Sequence, residues 1–133
     1  MKPNNDFPGF AKCVEMMHSK KPQTQEDGFG WLKQQASEFV SELVEAFETE
    51  SQHGVKCWLF ELIGESRSLE AMPLFEKYLF GDDESLCSWA AYGLSNLNTR
   101  EARHTLYQGL SHKLSTVEDT ERLHALIRRL RRQ

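Results

Sequence analysis

A chain of 133 residues carrying 20 acidic and 16 basic side chains, with a net charge of −4 and 39% hydrophobic residues, has the size of one domain and can bury roughly two-thirds of the surface its unfolded form exposes. The opening Met-Lys-Pro-Asn-Asn-Asp-Phe lacks the apolar stretch of a signal peptide, and no segment approaches the run of about twenty apolar residues that spans a bilayer, so a soluble cytoplasmic protein with no membrane partner is expected. Cys13, Cys57 and Cys87 are odd in number, far apart and never arranged as C-x-x-C, which signals neither a disulfide framework nor a zinc site and reads as reduced thiols, two of them in the core.

In chain order, Phe7, Phe10, Val14 and Met17 predict a short first helix inside an N-terminal capping region, residues 1–34. Gly28 and Gly30 blur the pattern beyond it, and residues 20–50 read either as one long helix from Phe29 to Glu50 or as two. In the second case Ala36 to Glu48 is a helix with Val40, Leu43 and Phe47 inward. Val55, Trp58, Leu59 and Leu62 follow i, i+3, i+4, i+7 spacing, and Gly64 is a natural stop for that helix. Ser68 can cap the next one, whose apolar stripe is Ala71, Leu74, Phe75 and Tyr78. Leu86, Trp89, Ala90, Gly93 and Leu94 make a further stripe, and Asn98 with Glu101 reads as a capping box opening a helix with Ala102, Leu106 and Leu110. Ser115 or Thr116 then starts a last helix, with Leu123, Leu126, Ile127 and Leu130 inward.

Two of these segments are copies. A shift of 31 residues lays Val55 to Leu79 on Leu86 to Leu110, pairing Trp58 with Trp89, Ile63 with Leu94, Glu70 with Glu101 and Ala71 with Ala102. The same shift carries Ala71, Leu74 and Tyr78 back onto Val40, Leu43 and Phe47, so about two and a half helical hairpins fall within residues 35–112. The strings Leu62-Ile63-Gly64 to Glu70-Ala71-Met72-Pro73-Leu74 and Trp89-Ala90-Ala91-Tyr92-Gly93-Leu94 to Glu101-Ala102 resemble the short HEAT-like repeats of phycobilin-lyase-type proteins, departing at Ser95 and Thr105. That resemblance implies an all-α chain folded as a short right-handed solenoid of HEAT-like hairpins, a single domain spanning 1–133, with residues 113–133 as a C-terminal capping helix closing the stack.

Catalytic equipment is not signalled. His18, His53, His104, His112 and His124 form no H-E-x-x-H or histidine-cysteine cluster, there is no His-Glu dipeptide of the kind that binds iron in some HEAT-like enzymes, and neither a glycine-rich phosphate loop nor G-x-S-x-G appears. No catalytic residue, metal or cofactor is expected. Trp58 and Trp89 lie within apolar stripes and read as packing.

Charge is the more informative signal. Residues 26–84 hold fourteen acids against four bases, while residues 100–133 hold eight bases against four acids. An acidic middle repels nucleic acid and attracts a basic protein, and the Arg128, Arg129, Arg131, Arg132 tail reads as cations at a helix C-terminus. Glu38, Glu42 and Glu45 recur at i, i+4, i+7 and predict an outward stripe. Under the 31-residue shift Glu45 aligns with Glu76 and Tyr107, and Glu42 with Pro73 and His104. Asp82, Asp83 and Glu84 extend the acid along one edge. Strings such as Val55-Lys56-Cys57-Trp58-Leu59-Phe60-Glu61-Leu62-Ile63-Gly64 are similar to those of small immunity proteins encoded beside polymorphic toxins. The resemblance implies a monomeric antitoxin that grips a basic toxin domain, such as a nuclease, through an acidic concave face. A general adaptor subunit and an accessory of a cofactor-attaching lyase are the alternative expectations.

Overall fold

The computed structural model describes residues 7–112 together with Ala125, Arg128 and Arg129. Among the described residues there are seven α-helices, two 3-10 turns and no strand, so the chain is all-α. The expected last helix, with Leu123, Leu126, Ile127 and Leu130 inward, lies outside the described residues. The chain divides into two compact units, Met1–Ser66 and Arg67–Gln133.

The first unit contains α1 (Phe10–Met17), α2 (Pro22–Gln34), a 3-10 turn (Ala36–Glu38), α3 (Val40–Thr49) and α4 (His53–Glu65). Pro22 opens α2 after an extended Lys21, where a missing N–H costs nothing. Gly28 does not spoil this helix; it is what lets α2 meet α1. A Cβ there would stand 2.6 Å from the Cys13 carbonyl oxygen and 2.8 Å from the Met16 Cβ. The alternatives for residues 20–50 resolve into two helices. Gln35 and Phe39 leave helical geometry, with φ/ψ of −124/19 and −127/32, so the expected helix from Ala36 to Glu48 is broken at Phe39 and begins in earnest at Val40. Val40 itself is only half-buried, while Leu43 and Phe47 are buried as expected.

The core of this unit is Cys13, Met17, Leu32, Ala36, Leu43, Phe47, Val55, Leu59, Phe60, Leu62 and Ile63, with Phe47 and Phe60 stacked at 4.6 Å between ring centroids. Two helical hairpins lie one on the other. Phe10 stacks on Phe39 at the start of α3, 5.5 Å between centroids, and His18 beyond the end of α1 bonds Glu50 beyond the end of α3 at 2.9 Å, so α1 and α3 run parallel. Phe29 on α2 meets Trp58 on α4 at 5.1 Å.

The chain passes Gly64 without stopping. Gly64 is buried inside α4, which ends a residue later, and the left-handed residue is Arg67 with φ 54°. The second unit contains a 3-10 turn (Leu69–Ala71), α5 (Met72–Leu79), α6 (Glu84–Leu97) and α7 (Arg100–His112). The Ser68 hydroxyl accepts from the Glu70 N–H at 3.2 Å, as a cap. α6 ends on Asn98 in the left-handed conformation, φ 51° and ψ 38°, so Asn98 closes one helix and Thr99 opens the next, its Oγ1 accepting the Ala102 N–H at 3.0 Å. The expected Asn98–Glu101 capping box is therefore replaced by a single cap at Thr99, with Ala102 in the third helical position, because the αL position after α6 claims the asparagine. Two small residues set the helix spacing: a Cβ on Gly93 would collide with the Phe75 ring, and one on Gly109 with the Leu79 side chain. Both α6 and α7 thus pack directly on α5, and α7 runs in the same direction as α5.

The first sequence copy, Val55 to Leu79, straddles the division at Ser66. Its two halves belong to different units, and the hairpins that close within a unit are α1/α2, α3/α4, α5/α6 and α6/α7. Trp58 and Trp89, expected in the core, are half-buried at its margin.

Candidate functional site

α3 is short and one-sided. Leu43 and Phe47 point inward, one turn apart, and Glu42, Glu45 and Glu48 fall on the opposite, exposed side. Glu38 is also exposed, but sits on the 3-10 turn before the break at Phe39, so its expected i, i+4 register with Glu42 is not that of a continuous helix. None of Glu38, Glu42, Glu45 and Glu48 forms an ion pair with another described residue. Lys56, on α4, engages the backbone of α3: its ammonium donates to the Phe47 carbonyl at 2.6 Å and lies 4.0 Å from the Phe47 ring centroid. It neutralises the carbonyl end of α3, where carboxylates are unfavourable, and leaves their charge uncompensated.

Glu50 is different in kind. Its side chain is only 9% exposed; one carboxylate oxygen accepts from His18 Nε2 at 2.9 Å and the other from the Gln52 backbone N–H at 3.0 Å. His18 Nδ1 donates to the Val14 carbonyl at 2.9 Å. Both ring nitrogens face acceptors, an arrangement that favours the imidazolium, and the pKa is raised above 6.5, first by the Val14 carbonyl and then by the Glu50 hydrogen bond, against an opposing effect of burial. Glu61 on α4 is half-buried, and burial pushes its carboxyl up, with Lys33 opposing and Glu65 adding. The buried Cys13 thiol is also pushed up by burial, which makes it a poor nucleophile.

In the second unit the expected residues other than Asp83 are exposed, in a mixed field. Glu76 shares the outer side of α5 with Lys77. His104 and Tyr107 lie on the outer side of α7, Tyr107 being 73% exposed, in company with Arg100 and Arg103. Asp82 is exposed and Glu84 opens α6. Asp83 is half-buried, and its Oδ1 accepts the Leu86 N–H at 2.9 Å, so its carboxylate caps α6. The structure therefore brings Glu42 and Glu45 together, places Glu38 beside them in the chain, and adds Glu48, which the i, i+4, i+7 spacing leaves out because it closes at Glu45. Glu76, Asp82, Asp83, Glu84, His104 and Tyr107 belong to the other unit, where α7 carries more bases than acids.

Among the described residues no group of three or more His, Cys, Asp or Glu is arranged to hold a metal ion, and no helix is long and apolar enough to cross a membrane. A thiol–imidazole contact, Cys57 Sγ to His53 Nδ1 at 3.8 Å, lies at the start of α4. Comparison with protein families, with curated proteins and with solved structures found no match to this chain.

Proposed function

We propose that this chain is a non-catalytic protein-binding module of the cytoplasm, an immunity protein that binds and neutralises a basic toxin domain, and that its hairpins are those of a short HEAT-like solenoid. The observation that carries the reading is α3: ten residues with three outward carboxylates, no base of its own, and no ion pair to any described residue. Such a field raises the encounter rate with a basic surface. Exposed Tyr107 supplies the kind of large amphipathic contact that slows release. The like direction of α1 and α3, whose ends meet through Phe10–Phe39 and His18–Glu50, and of α5 and α7 supports the solenoid, since stacked hairpins place corresponding helices side by side.

The experiment takes the toxin domain encoded by the neighbouring reading frame and measures its association with the chain at low and high salt. Substituting Glu38→Lys, Glu42→Lys and Glu45→Lys together is expected to slow association about tenfold or more at low salt and to flatten its salt dependence. An unchanged rate and slope, or a neighbouring protein that does not bind, overturns the proposal.

A further inference from the structure

We propose that the outer surface shared by α2 and α4 receives an arginine side chain from a partner protein, between the Phe29/Trp58 aromatic pair and the Glu61 carboxylate. The inference rests on the toxin-binding reading only for the positive sign of the partner's charge; it assigns a different surface, and names the residue that fills it.

Gly28, Gly93 and Gly109 each have a neighbour that a Cβ would strike, so their places in helices are packing requirements. Gly30 has none: in the interior of α2, where glycine is the least favourable residue short of proline, a Cβ would meet nothing within 4 Å. Gly54, in the first turn of α4, is equally open. Backbone left bare without an internal reason is how a surface admits close approach from outside. Between these two openings lie the half-buried Phe29 and Trp58, 5.1 Å apart, and Gly54, Trp58 and Glu61 line the side of α4 away from Leu59 and Ile63.

Two observations choose arginine as the occupant. Glu61 is a half-buried carboxylate without an ion pair to any described residue within 4 Å; Lys33, the cation of this surface, acts on it only from further away. And the repeat-equivalent tryptophan, Trp89 in the second unit, already holds a guanidinium over its ring, that of Arg129, 6.0 Å from the centroid. At Trp58 the described chain supplies the aromatic face and the acid and no arginine of its own. A guanidinium can lie on an indole and bond a carboxylate at once, which an ammonium does less well.

The test uses the whole chain and an alanine-rich helical peptide bearing two arginines four residues apart, with lysine and citrulline versions as controls. The readout is the set of tryptophan indole N–H resonances, that of Trp58 identified by Trp58→Phe. The arginine peptide is expected to shift the Trp58 resonance saturably, the lysine peptide to bind several-fold more weakly, and the citrulline peptide not to bind. Glu61→Gln should weaken the arginine peptide about tenfold, and Lys33→Gln should tighten it. Gly30→Leu should raise the melting temperature, because it improves the helix and its Cβ meets nothing within 4 Å, yet lose the Trp58 shift. A Trp58 resonance that does not move, lysine binding equal to arginine, or full binding by the Glu61 and Gly30 variants overturns the inference. The α3 triple variant should leave the Trp58 response within about threefold. If that variant loses the toxin while wild-type Trp58 ignores the arginine peptide, this inference falls and the function stands. If Trp58 responds while the α3 variant binds toxin normally, the reverse holds.

Discussion

Replacing His18 by Gln tests the first unit's most exacting contact. The imidazolium ties three segments: the last turn of α1 through the Val14 carbonyl, the residue after α3 through Glu50, and, by way of the other Glu50 oxygen, the Gln52 N–H before α4. A hydrogen bond to a charged group contributes about 1.5–3 kcal/mol. His18 has 31% of its side chain exposed, so solvent screening brings the expectation to roughly 1–2 kcal/mol, or several degrees in melting temperature for a unit of this size. The pH dependence is set by the direction of the shift. The folded-state pKa is raised above 6.5. The imidazolium's contribution is thus complete below the unfolded pKa, near 6.5, and is lost as pH rises through the higher folded value. Urea unfolding at pH 6 and at pH 8.5 should therefore give a larger wild-type-minus-variant difference at the lower pH. A difference that is constant, or that grows with pH, would refute the assignment of an imidazolium at this position.

Other perturbations separate the packing claims. Gly93→Ala and Gly109→Ala should each cost about 1–3 kcal/mol by forcing α6 or α7 away from Phe75 or Leu79, as read by denaturant midpoint, whereas Gly30→Ala should stabilise by up to about 1 kcal/mol. Phe47→Ala should cost about 3–5 kcal/mol, since the ring is fully buried and stacked on Phe60. Asn98→Ala should cost about 1 kcal/mol through the left-handed backbone and the lost Arg103 contact at 2.9 Å; Asn98→Gly should cost less. Glu48→Lys should raise stability by about 0.3–1 kcal/mol by reversing a carboxylate in the last turn of α3, while slowing association with the toxin domain.

Helical content is legible in the sequence because buried residues recur with helical spacing: Leu43 with Phe47, Val55 with Leu59, Ala71 with Phe75 and Leu79. The 31-residue shift supplies a period but not a phase. A two-helix repeat has the same period whether one pairs α4 with α5 or α3 with α4, and only contacts distant in sequence decide. Gly64 misleads because a glycine buried within a helix looks in a sequence the same as one that ends it; among the described residues the positive φ outside glycine falls to Arg67 and Asn98. Glycine's two uses also explain the ambiguity at Gly28. Trp58 and Trp89 fit the apolar stripes, and a large ring at the edge of a stripe can be half out in solvent without disturbing the pattern. For the acids, spacing places Glu42 and Glu45 correctly because α3 is regular, and misplaces Asp83 because a capping carboxylate differs from a free one only in what it touches. The His18–Glu50 bond joins residues 32 apart, and no local pattern signals it.

The charge on α3 has a cost that the fold itself does not need to bear. Glu48 sits in the last turn and Glu50 just beyond it, where the partial negative charge of the helix end repels carboxylates. Two devices offset that cost, and they act on different groups. Glu50 is withdrawn from solvent and bonded to His18 and Gln52, which makes it structural. Lys56 places its ammonium on the Phe47 carbonyl, which relieves the helix end. A salt bridge from Lys56 to Glu48 would have relieved both helix and carboxylate, but it would have cancelled the field. By bonding backbone in place of carboxylate, Lys56 relieves the end of α3 while Glu42, Glu45 and Glu48 stay exposed to solvent and without an ion pair to a described residue. That division of labour is intelligible if the outward charge is there to be met by another molecule, and it is why mutating Lys56 should damage stability while sparing the acidic surface.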